Sequence, residues 1–137
     1  MSRRMSCSMT IDAVRERRKT VTRRKVNTWR TLRPGDRLTL IEKGMGLPKG
    51  AQQVVLAEVE VVDVREEPIG ALTPNDVRRE GFDPSAMSPR EFARFWLRSH
   101  GYSEVDPYGV TNHHVPCRRI EWRYLDAANG STGDQRE

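Results

Sequence analysis

The chain has 137 residues, enough for one domain with one modest core. It carries 24 Lys and Arg against 19 Asp and Glu, and its mean hydropathy of −0.74 is low for a globular chain. No apolar run reaches the roughly 20 residues of a membrane-spanning helix, and the basic amino terminus lacks the apolar stretch of a secretory signal. The reading is a cytoplasmic protein whose two cysteines, Cys7 and Cys117, stay reduced. The charge is uneven. Residues 1–30 hold ten Lys and Arg against Asp12 and Glu16, so the remaining 107 residues carry 14 basic groups against 17 acidic ones. A basic end on a slightly acidic domain points to an anionic partner, nucleic acid first.

In chain order, residues 1–10 read as a disordered basic leader. Thr10 is placed to cap a short helix from Ile11 to about Arg18, with Ile11 and Val14 on its apolar stripe. The β-branched run Thr20-Val21-Thr22 then predicts extended chain. Pro34-Gly35-Asp36 is a turn before a strand carrying Leu38 and Leu40, and Gly44 to Gly50 is a hairpin-like connection. Gln53 to Glu66 is the strongest strand, with Val55, Ala57, Val59, Val61 and Asp63 on one face.

Two helices follow. Thr73 caps the first, with Pro74 at its first position and Gly81 as its stop. Ser88 and Glu91 form a capping box for the second, whose stripe is Phe92, Phe95, Trp96 and Leu97, ending at His100-Gly101. Residues 102–114 read as a loop, Val115 to Leu125 as a closing strand and 126–137 as a disordered tail. The sum is an α+β domain over 11–125, an open β-barrel or strongly curved mixed sheet with two or three short flanking helices.

Four segments of this domain carry a resemblance: KTVTRR (19–24), LRPGDRLTL (32–40), EVEVVDVREEPIGALTPNDVRREGF (58–82), and the aromatic helix with the CRRIEWRYL strand. Together they resemble the ASCH domain, a small barrel of the PUA-like superfamily. The resemblance implies binding of RNA or a modified nucleoside in a cleft beside the barrel. One branch, the small bacterial N(4)-acetylcytidine amidohydrolases, uses a Lys and a Thr of its K-T-x-T segment and a Glu from the later helix. Those positions fall here on Lys19, Thr22 and Glu80, and a following Arg falls on Arg24. This chain is longer than those enzymes, with a connection at 44–50 and a polar loop at 102–114.

The chemistry fits those residue types. Amide hydrolysis needs a nucleophile, a proton acceptor, a proton donor and an oxyanion clamp, which Thr22, Lys19, Glu80 and Arg24 could supply. In extended chain, however, residues 19 and 22 face opposite sides, so a bulge or turn must bring both into one pocket. Arg18, Arg23 and Lys25 extend the basic surroundings, Trp29 offers a face for base stacking, and His113 in the 102–114 loop could reach a bound nucleotide. His113, His114 and Cys117 are metal-ligand types, but three ligands without a second cluster predict no metal, and no cofactor is expected. A metal-independent ribonuclease and a non-catalytic RNA-binding module stand as alternatives, since either would use the same basic cleft.

Overall fold

The computed structural model describes residues 3–43 and 48–125. Five strands form one sheet: β1 (Arg3–Ser6), β2 (Val21–Lys25), β3 (Arg37–Ile41), β4 (Val55–Pro68) and β5 (Pro116–Tyr124). Their spatial order is β1-β3-β4-β5-β2, with β1 parallel to β3 and every other pair antiparallel. The sheet curls into a half-barrel flanked by α1 (Ile11–Arg15), α2 (Pro74–Arg79) and α3 (Pro89–Ser99). Among the described residues no helix is long and apolar enough to cross a membrane.

The caps read from the sequence are made. Thr73 and Asp76 exchange side-chain and backbone bonds of 3.0 and 3.1 Å, Ser88 and Glu91 do the same at 2.9 and 3.1 Å, and a proline opens each helix. Such a cap stabilises a helix by about 1 kcal/mol. Thr10 precedes α1 but makes no capping bond, and α1 ends at Arg15 rather than Arg18. Arg17 is the reason. Its φ of 63° swings the chain into the left-handed region, and its guanidinium bonds the carbonyls of Val14 and Arg15, closing the helix.

β4 is too long to serve one core. Ala57, Val59 and Val61 point inward as the alternation predicts, but Val55 is exposed and the register shifts between Val61 and Asp63, turning Val62 to solvent. The first half of β4 packs with Leu38, Leu40, Ile120 and Trp122 inside the curl. Beyond β4, Ile69 and Leu72 join Val77, Phe92, Trp96 and Leu97 in a second core under the helices.

The basic leader is the main correction. Residues 3–6 are a strand, not a disordered arm: Met5 and Cys7 are buried between exposed or half-buried neighbours, and Cys7 N–H bonds the Ile41 carbonyl at 2.9 Å. One buried methionine among arginines leaves little periodic signal, yet pairing with β3 supplies the backbone bonds that a free arm lacks. Residues 44–47 of the hairpin-like connection and the tail expected at 126–137 lie outside the described residues. Met5→Ala should lower stability by about 2–5 kcal/mol, the range for emptying a core site, read as a fall in the urea midpoint. An unchanged midpoint would restore the leader reading.

Candidate functional site

The strand order leaves β1 and β2 at the two edges of the curled sheet. One side-chain bond reaches from one edge to the other, from Arg24 Nη2 to the Ser6 carbonyl at 2.8 Å. A cavity of about 210 Å³ opens in this seam. Ser6 and Cys7 line it from β1 and its end, Thr22 and Arg24 from β2, and Lys19 and Glu80 from the segments before β2 and after α2. Phe82 and the face of α3 bearing Phe92, Phe95 and Trp96 form an aromatic wall.

Lys19 and Thr22 share this cavity because Lys19 lies before β2 begins, so strand alternation does not govern it. Its carbonyl accepts from the Trp122 indole at 3.0 Å and from the Tyr124 hydroxyl, while the next residue, Thr20, donates its N–H to Arg79 O at 2.8 Å. These bonds fix the approach to β2 and aim Lys19 Nζ at Glu80, where it donates to the backbone carbonyl at 2.8 Å and to Oε1 at 3.2 Å. Glu80 caps the carboxyl end of α2, and Gly81 follows at φ +106°. A side chain at Gly81 would bring a Cβ within 2.7 Å of Ala13, so glycine here also lets the turn close on α1.

The second oxygen of Glu80 accepts from Arg23 Nη1 at 2.9 Å. All three groups are almost fully buried: Lys19 at 4%, Arg23 at 3% and Glu80 at 3% exposure. Arg23 continues inward, 2.9 Å from Glu67 and 3.4 Å from Asp76. Directly across the ladder from Arg23 stands Arg119, also buried. Two facing guanidinium groups repel, and Asp76 separates them, its other oxygen 3.4 Å from Arg119. Glu121 then links Arg119 at 3.0 Å to Arg79 at 2.8 Å. Burial alone would raise the Glu67 and Asp76 carboxyls, but Arg23 with Arg65 for the first, and the Thr73 N–H with Arg23 and Arg119 for the second, hold both below their ordinary values. Arg23 therefore lines the cavity and also braces Glu80, with its carbonyl accepting from the Trp96 indole.

Sequence reasoning missed the β1 residues and the aromatic wall as site residues, and it missed His100, which the sequence marks only as a helix stop. His100 caps α3, lines the cavity and stacks on Trp96 with centroids 4.3 Å apart. Its Nδ1 lies 2.8 Å from the Trp96 carbonyl, which can only accept, so the proton sits on Nδ1 and Nε2 is left as the acceptor. Burial, opposed by that carbonyl bond and reinforced by Arg24 and Lys25, holds the imidazole below its ordinary 6.5. The available signal was its spacing, four residues after Trp96 on the same helical face.

The other sequence candidates lie outside the cavity lining. Arg18 bonds Glu16 at 2.6 Å, and Lys25 sits over the Tyr102 ring at 5.3 Å. Trp29 packs against the first core with Arg3 over its face at 4.4 Å, so that face is covered. His113 borders a separate groove with Gly70, Arg90 and Thr111. Cys117 is fully buried with its thiol pushed up to about 12 by desolvation, far from thiolate chemistry. Among the described residues no three His, Cys, Asp or Glu side chains converge as a metal site.

No family model and no curated protein matches the chain. Solved structures do. A protein of the DUF984 family from Enterococcus faecalis superimposes with a TM-score of 0.56 at 16% identity, covering 84% of this chain, which spans 66% of that protein's length. An ASCH domain from Lactobacillus crispatus superimposes with a TM-score of 0.53 at 8% identity, covering 89% of this chain and 79% of that one. The fold is of the ASCH type.

Two pH responses follow from the buried charges. Asp76 and Glu67 have lowered folded values, so they add stability above their unfolded values near 3.8 and 4.5, and that stability is lost as pH falls below them. Urea midpoints measured between about pH 5 and 3 should fall, and Asp76→Asn should be weaker at neutral pH with a shallower fall; parallel curves would contradict the network. By NMR, the His100 ring should titrate below 6.5, and a midpoint at or above that value would contradict its burial against Trp96.

Proposed function

We propose that this ASCH-type chain takes the base of a modified nucleoside into the seam cavity and hydrolyses the amide of an acylated cytidine there. The observation that carries the reading is convergence: Lys19, Thr22 and Arg24 of the β2 segment and the distant Glu80 line one cavity with an aromatic wall. Its volume of about 210 Å³ is below the roughly 300–1,000 Å³ of clefts that enclose drug-sized ligands, so it suits one ring and its substituent. The wall supplies faces for a planar base, and the polar end supplies the chemistry.

Thr22 carries the nucleophilic oxygen. Its Oγ attacks the acyl carbon, and its proton passes to the Lys19–Glu80 pair and on to the departing exocyclic nitrogen as the C–N bond breaks. Water then cleaves the resulting ester and restores the hydroxyl. Arg24, whose Nε lies 3.3 Å from Thr22 Oγ1, is placed to stabilise the oxyanion. Arg23 holds Glu80 from the far side and keeps the carboxylate turned toward Lys19.

Purified protein should release cytidine from N(4)-acetylcytidine, with Thr22→Val and Glu80→Gln each lowering the rate about 100-fold or more. Saturable binding of the nucleoside without turnover would leave a non-catalytic binding module. Cleavage of unmodified RNA, lost in the same variants, would move the assignment to a ribonuclease, and no binding of any of these would overturn the reading.

A further inference from the structure

The proposed chemistry leaves one polar group of the cavity unused. His100 lines the cavity from the end of α3, where two contacts fix its ring. The Trp96 ring holds its plane, and the Trp96 carbonyl accepts from Nδ1–H at 2.8 Å. A flipped ring would exchange that bond for a C–H contact, so Nε2 stays turned away from the carbonyl. Nε2 has no partner among the described residues and is not sealed inside the protein. The other polar groups differ. Lys19, Arg23 and Arg24 only donate. Both oxygens of Glu80 already accept from Lys19 and Arg23, and Thr22 Oγ1 and the Ser6 carbonyl accept from Arg24. Apart from the hydroxyls of Ser6, Ser8 and Thr10, on β1 and the loop after it, His100 Nε2 is the nitrogen or oxygen side-chain acceptor of this cavity that no protein group occupies. It also stands on the aromatic side, against which a planar ligand packs.

We propose that His100 is a specificity-determining residue of this cavity, its Nε2 accepting the exocyclic amide N–H of the acylated base that lies against the aromatic wall. The inference rests on the nucleoside reading of the cavity. In an acylated cytosine the carbonyl oxygens and the ring N3 are acceptors, which the cationic lining meets, and the amide N–H is the one donor of the base. A neutral imidazole nitrogen receives that donor without adding charge. A base whose exocyclic nitrogen carries no hydrogen would leave Nε2 facing an alkyl group. Protonation inverts the contact: Nε2 becomes a donor, and a further positive charge joins Arg24 and Lys25 of β2, which with Glu80 at the end of α2 are the charged groups acting on the ring. Tyr102, stacked on the same Trp96, carries Lys25 over its face, and the Cys7 thiol of the cavity is raised above its ordinary 9.0 by burial, so neither ionises in acid. Burial, with Arg24 and Lys25, holds the imidazole below 6.5, so Nε2 is an acceptor at neutral pH and is lost as one when pH falls through the lowered value.

The test is the dissociation constant of N(4)-acetylcytidine, and of N(4)-acetyl-N(4)-methylcytidine, which lacks the N–H, at about pH 7.5 and about pH 5. The full chain is used in a Thr22→Val background, which keeps the nucleoside intact, alone and combined with His100→Phe or His100→Gln. With His100 present, methylation should weaken binding about tenfold, and acid should weaken binding of the unmethylated nucleoside severalfold. His100→Phe, which keeps a ring for Trp96 to stack on, should lose about tenfold for N(4)-acetylcytidine and show neither effect. His100→Gln, whose amide oxygen reaches the place of Nε2, should recover most of that affinity and the discrimination against methylation, with no response to acid. Equal binding of the two nucleosides with His100 present overturns the inference, as does a methylation penalty that persists in His100→Phe or an acid response that persists in His100→Gln. The expected pattern without hydrolysis by the chain carrying Thr22 sinks the hydrolytic reading while the role of His100 stands. Hydrolysis without the pattern does the reverse, and no binding of either nucleoside overturns both.

Discussion

One carboxylate is shared by two buried cations, and the arrangement around it makes this fold specific. Glu80 accepts from Lys19 on one oxygen and from Arg23 on the other. Taking such groups out of water costs several kcal/mol per ion, and that cost is offset only where every charge keeps its partner. The fold meets the condition by drawing on three places at once: the end of α2, the approach to β2 and β2 itself. An ion pair of this kind says little about net stability. It does determine how α2 sits on the sheet, because a shifted helix would strand a buried charge.

The same constraint shapes the cavity. Lys19 and Glu80 are held from behind by the network that runs through Arg23, Asp76 and Arg119, and from the side by Trp122 and Tyr124 on the Lys19 carbonyl. Their front faces the seam between two edge strands, where the half-barrel is bridged by Arg24. A curled sheet that closed fully would have filled this space with ladder bonds. Leaving the seam open puts polar backbone, a hydroxyl and paired charges beside an aromatic wall, a combination suited to a planar polar ligand.

Much of the fold was legible because its signals are local. The Thr73 and Ser88 caps, the Gly81 stop and the alternation of β4 from Ala57 to Val61 each depend on residues a few positions apart, and each appears in the structure. What was hidden depends on distant partners. β1 looked like a charged arm because Met5 gains its burial from β3, more than thirty residues away. The end of α1 was misjudged because Arg17 adopts a left-handed turn that no glycine announces. At the site, the resemblance named Lys19, Thr22, Arg24 and Glu80, which line one cavity, but gave no hint of His100. Arg23, expected as a ligand group, lines the cavity as well, and its burial among three carboxylates also makes it a brace.

Three tryptophans allow the central claim to be read directly. The Trp96 indole N–H lies beside the cavity and donates to the Arg23 carbonyl, that of Trp122 is buried against the Lys19 carbonyl, and Trp29 packs elsewhere under Arg3. Titrating N(4)-acetylcytidine into labelled protein and following the three indole N–H signals by NMR tests whether the seam cavity is where a nucleoside binds. The account predicts a saturable shift at Trp96 with Trp29 unmoved. A shift confined to Trp29, or none at saturating nucleoside, would contradict it.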